Sequence, residues 1–80
     1  MTDTHDQQEA MVSAIGEFPN RESRIAFLRQ VQLWNAVEGL PFVFAQSLKG
    51  GDRVMIRTAA SAGKGIVRLI EAVGGFTSPV

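Results

Sequence analysis

The chain has no cysteine and no tyrosine, and only one histidine, one tryptophan and three prolines in 80 residues. Without cysteine there is no disulfide framework, no thiol nucleophile and no thiolate metal site. His5, the only imidazole, lies in a polar N-terminal stretch, so a Ser-His-Asp or Cys-His arrangement would require that tail to dock in a cleft. A lone imidazole in a tail is read as solvated, and no metal or cofactor is expected. No apolar run approaches the eighteen or so residues of a membrane span, and the first ten residues are too polar for a signal peptide. The expectation is a soluble, cytoplasmic protein.

Net charge is absent too, because 8 Lys and Arg balance 8 Asp and Glu. The distribution is uneven. Residues 1–20 carry Asp3, Asp6, Glu9 and Glu17 with no basic residue, whereas residues 49–80 carry Lys49, Arg53, Arg57, Lys64 and Arg68 against Asp52 and Glu71. The acidic segment can lie against the basic one, or leave it free for an acidic partner.

The stretch from Asp52 to Val73 keeps one helical phase. Met55, Ala59, Ala62, Ile66, Leu69 and Val73 follow steps of four and three, the spacing of a helical seam. Arg53, Arg57, Lys64, Arg68 and Glu71 fall within roughly 60° of one another on the opposite side. This predicts one long amphipathic helix. The alternative takes R-V-M-I-R-T, residues 53–58, as a strand with a separate helix from Ser61; Gly63 and Gly65 favour it, since each costs a helix interior about 1 kcal/mol relative to Ala.

Upstream, Asp6 is expected to open a first helix with Met11, Val12, Ile15 and Phe18 on its apolar face, ended by Phe18-Pro19-Asn20. Asn20 is the N-cap of a second helix, with Glu22 in its first turn and Glu38-Gly39-Leu40-Pro41 as its stop. That helix is apolar on two sides: Phe27, Leu28, Val31 and Trp34 on one, Ile25, Leu33 and Val37 on the other. A helix apolar on two sides is either central in the fold or shared between its own core and a second subunit, and with so few other elements to cover both sides the shared role is expected. Pro41 then starts a short third helix through F-V-F-A-Q-S-L to the turn at Lys49-Gly50-Gly51, placing Phe42, Val43, Phe44 and Leu48 in a core or interface. After Gly74 as C-cap, G-G-F-T-S-P-V is a tail whose Phe76 folds back over the core.

Motifs that carry chemistry are incomplete. Ser61-Ala62-Gly63-Lys64-Gly65 has the lysine of a phosphate loop, but Thr58 stands where its first glycine should be and Gly65 where its hydroxyl should be. Asp6 and Glu9 belong to a solvated acidic terminus. Glu22 and Glu38 would stand about 24 Å apart along one helix, too far to act as an acid/base pair.

The run from Ile25 to Phe76, with Asn35-Ala36, Gly51-Asp52, Val54-Met55-Ile56 and then Ser61 opening a helix that ends near Gly75-Phe76, resembles the latter part of HPr-type phosphocarrier proteins. The resemblance implies an open sheet covered by helices and phosphate carried on a histidine. The Gly-x-His-x-Arg-Pro signature of that family has no counterpart, since His5 is followed by Asp6-Gln7-Gln8, and no functional residue carries over.

These readings predict a single all-α domain over residues 1–80, a compact bundle of four to five short helices with a longer C-terminal helix, or an α+β domain with a strand at 53–58. The expected function is a non-catalytic protein-interaction module, an adaptor, inhibitor or regulator that forms a homodimer. Its partner-binding residues are Phe27, Val31, Leu33, Trp34 and Val37, together with Arg53, Arg57, Lys64 and Arg68. Nucleic-acid binding through the four basic residues is the alternative, disfavoured by zero net charge.

Overall fold

M-V-S-A-I-G-E sends alternate side chains to opposite sides. In the computed structural model, which describes residues 10–79, it is not a helix but strand β1, Met11–Glu17. Helix α1 follows at Arg21–Asn35, then β2 at Phe44–Ser47, β3 at Arg53–Ala59, a single 3-10 turn at Ala60–Ala62, α2 at Gly63–Ala72 and β4 at Phe76–Pro79. The four strands form one antiparallel sheet in the order β2-β3-β1-β4. Each helix therefore links two parallel strands that have a third strand between them, the ferredoxin-like split βαβ arrangement. The fold is α+β, which overturns the all-α bundle and supports the alternative with a strand at 53–58.

Both helices lie on one side of the sheet. Phe27 and Val31 of α1 and Ile66 and Ile70 of α2 close over Val54 and Ile56 of β3, with Phe18 and Val43 completing the core. Phe18 and Phe27 pack with ring centroids 5.2 Å apart. On β1 the helix side carries Gly16, where an added Cβ would meet Ile70 Cδ1 and the Phe18 ring at 3.2 Å, so only glycine lets α2 and Phe18 come this close.

The single long helix expected over Asp52 to Val73 is two elements. A step of four satisfies the period of a helix and, being even, that of a strand as well. Met55 and Ala59 thus share a strand face, as do Arg53 and Arg57, and the phase that continues into Ala62, Ile66, Leu69 and Val73 does not require one helix. A seven-residue strand is stable here because it is central: β1 pairs along its whole length, Met11↔Ala59 to Glu17↔Arg53, and β2 flanks its other side. The expected first helix fails for the same reason, since Met11 and Ile15 are also four apart; its Asp6 and Glu9 lie outside the described residues.

Helix α1 starts as expected, with the Asn20 side chain accepting the Ser23 N–H at 2.8 Å and Glu22 in the first turn. It ends at Asn35, before the glycine stop; Gly39 does take a positive φ of 89°, in the following loop. The stretch expected as a third helix is β2, and Gly50 and Gly51, with φ of 80° and 84°, make the β2–β3 turn. Arg24 ties this hairpin to α1, its Nε 3.1 Å from Asp52 Oδ1 and its Nη1 donating to Ser47 Oγ at 2.9 Å. Gly74 caps α2 with φ 83°, its N–H bonding the Glu71 carbonyl. The tail beyond is strand β4, and Phe76 points away from the core, 58% exposed. No helix among the described residues is long and apolar enough to cross a membrane.

Candidate binding surface on the open sheet face

With both helices on one side, nothing among the described residues covers the other side of the sheet. Alternation fixes what it displays: Phe44 and Gln46 from β2, Arg53, Met55, Arg57 and Ala59 from β3, Met11, Ser13, Ile15 and Glu17 from β1, Phe76 and Ser78 from β4. Phe44 stands opposite Arg57 across the β2–β3 ladder, and Arg57 opposite Ser13 across the β3–β1 ladder. Phe44 is 59% exposed, and Phe42, two residues earlier, meets it edge to face at a centroid distance of 4.8 Å. A shallow cavity of about 360 Å³ lies here, lined by Phe44, Ala45, Gln46, Met55 and Arg57.

The charges on this face are two arginines against one carboxylate. Arg53 spends its guanidinium on the hairpin, with Nε donating to the Gly50 carbonyl at 3.1 Å and Nη2 to the Lys49 carbonyl at 3.3 Å. Glu17 accepts from Ser78 Oγ at 2.6 Å near the other edge. Arg57 is exposed and has no ion pair or hydrogen bond among the described residues, which leaves its guanidinium available beside the Phe44 ring.

The residues expected to bind a partner separate into different environments. Phe27 and Val31 are buried in the core and present nothing outside. Trp34 is half-buried, its Nε1 donating to the Pro41 carbonyl at 2.8 Å and its ring lying over Gly65 of α2, where an added Cβ would come within 3.0 Å of it. Leu33 and Val37 are exposed near the end of α1, 63% and 53%. The basic residues do not form one helical stripe: Arg53 and Arg57 lie on the open sheet face, whereas Lys64 and Arg68 lie on α2 in the other layer. Phe44, expected in a core or an interface, is exposed on the open face. Its signal was the alternation of F-V-F-A-Q, which puts Phe42, Phe44 and Gln46 outside while Val43 is buried.

Among the described residues no group of His, Asp and Glu side chains is arranged to hold a metal ion. Comparison of the chain with protein families, with curated proteins and with solved structures finds no match.

Proposed function

We propose that the protein is a non-catalytic interaction module that binds its ligand across the open face of the sheet, rather than through an apolar helical surface. The observation that carries this reading is the row Phe42, Phe44, Arg57, Ser13: two exposed aromatic rings in contact, then a guanidinium without a partner among the described residues, then a hydroxyl, on adjacent strands. Such a row offers ring-stacking surface and directional hydrogen bonding on a rigid support. Because Glu17 offsets part of the positive charge and Arg53 is held by the hairpin, the face suits an extended, weakly charged chain better than a polyanion.

Single-stranded nucleic acid is the second reading, favoured by one feature: a four-stranded sheet with an aromatic ring next to an arginine can stack a base and neutralise its phosphate. Titrations of the labelled protein with an end-capped apolar peptide, an N-acetylglucosamine oligomer and an oligothymidylate distinguish the classes. Saturable resonance shifts at Phe44, Met55 and Arg57 with either of the first two, lost in Phe44→Ala with Arg57→Ala, support the main reading. A response to oligothymidylate alone, falling steeply with salt, replaces it with the second, and a face unmoved by all three probes overturns both.

We also propose homodimer formation, through the exposed Leu33 and Val37 near the end of α1. Sedimentation of the wild type as a monomer at high micromolar concentration would exclude it.

A further inference from the structure

We infer that two copies of this chain pair through the outer edge of β2, strand against strand, about a two-fold axis at Gln46. The inference rests on the homodimer reading above and is independent of what binds the open face. Strand β2 is the outermost strand on one side of the sheet, separated from β1 and β4 by β3. The Leu48 N–H bonds the Arg53 carbonyl at 2.9 Å, and Thr58 Oγ1 donates to the Phe42 carbonyl at 3.0 Å, so even-numbered residues here bond toward β3. Odd-numbered residues bond outward, as an antiparallel ladder requires.

At Val43 the outward groups are taken, because the Asn35 side chain donates to its carbonyl at 2.9 Å and accepts its N–H at 2.8 Å. The N–H and C=O groups of Ala45 and Ser47 have no partner among the described residues. The edge carries none of the usual protection against pairing except its shortness: F-A-Q-S has no charge, no proline and no bulge, and the first charged residue is Lys49, in the turn. A second copy therefore meets no like charge along the strand. The exposed apolar residues of the homodimer reading adjoin this edge, since Asn35, which holds Val43, lies between Leu33 and Val37 in the chain.

The free groups select the register. Pairing about Gln46 sets Ala45 against the second copy's Ser47 and Ser47 against its Ala45, and each pair exchanges both main-chain bonds. Pairing about Ala45 would need Val43, which Asn35 holds, and pairing about Ser47 would need Lys49, whose carbonyl already accepts from Arg53 Nη2. At the axis the two Gln46 residues form a non-hydrogen-bonded pair with Cα atoms about 4.5 Å apart, and their side-chain amides, on the open face, can bond each other. The two open faces then run on as one, with the Phe44 rings of the two copies four residue steps apart, roughly 14 Å along the strands.

The test combines sedimentation with amide exchange on the full chain. In the wild type the Ala45 and Ser47 amides should gain protection as concentration rises, while Gln46, bonded to β3, is protected throughout. Ala45→Pro removes an N–H that β3 does not use, so it should leave the circular dichroism unchanged and abolish self-association. Gln46→Glu and Gln46→Lys place like charges opposite each other at the axis, so each alone should weaken self-association roughly fivefold, and their equimolar mixture should associate more tightly than either. A mixture no tighter than its components overturns the inference, even where Ala45→Pro fails to fold. So does an Ala45 amide already protected in the monomer. A dimer weakened by Leu33→Glu but not by charge at residue 46 overturns the inference and leaves the homodimer reading standing, whereas a wild type that stays monomeric at high micromolar concentration removes both.

Discussion

The side chain of Asn35 and the backbone of Val43 bond each other twice: the amide donates to the Val43 carbonyl at 2.9 Å and accepts the Val43 N–H at 2.8 Å. One side chain thereby serves Val43 as a neighbouring strand would, and β2 is fixed to the end of α1 without a ladder between them. Helix α1 ends where this residue is needed, before the glycine stop.

Asn35→Ala should remove both bonds and strand the Val43 groups, whose residue is 1% exposed. Leaving buried backbone groups unsatisfied costs about 1–3 kcal/mol each, so a loss of at least about 2 kcal/mol is expected. Urea unfolding measures it, and a loss below about 0.5 kcal/mol would show that water or a rearranged loop replaces the bonds.

Two glycine substitutions should act in opposite directions. An added Cβ at Gly75 would lie 2.7 Å from the Glu17 carbonyl oxygen and 2.9 Å from Ile70 Cγ2, both held in the sheet and core, so Gly75→Ala should lower stability by about 1–3 kcal/mol. Gly63 has helical backbone and room for the methyl group, so Gly63→Ala should raise stability by about 0.4–1 kcal/mol. Thermal melts of both variants give the signs directly.

The phenylalanines should divide by layer. Phe27→Ala opens the core and should cost about 3–5 kcal/mol, enough to unfold a domain of this size. Phe44→Ala leaves the core intact and removes the ring contact with Phe42, so it should cost no more than about 0.5–1.5 kcal/mol. If Phe44→Ala instead unfolds the protein, the open face is structural and the proposed binding surface is lost.

Arg24→Ala and Asp52→Ala should show a coupling energy of no more than about 1 kcal/mol in a double-mutant cycle, because the two side chains remain 21% and 31% exposed. The coupling should shrink in high salt. A coupling that does not change with salt would show that the pair is shielded from solvent, and Ser47→Ala measures separately the other link between α1 and the hairpin.

Punctuation was the legible part of the sequence. The Asn20 cap, the start of α1 and the turn at Gly50-Gly51 depend on local chemistry, which a single segment states completely. Periodicity misled because the apolar and basic residues recur at steps of four. Arg53 and Arg57 would share a face in either structure, and only the pairing with β1, distant in sequence, decides between them. The candidate site was half visible for the same reason. Arg53 and Arg57 stood out as charges, but Phe44 could be separated from core aromatics only once β2 was known to be a strand with one side uncovered.

The sheet order has a practical consequence for anything joined to this chain. Strand β1 begins and β4 ends at the same end of two neighbouring strands, with Ala14 opposite Pro79. Phe44 lies on the face of the sheet away from both helices, on the strand separated from β4 by β1 and β3. The Lys49-Gly50-Gly51 turn lies at the opposite end of the sheet, beside Arg53 and Glu17, and is the place for a label that must leave the aromatic row undisturbed.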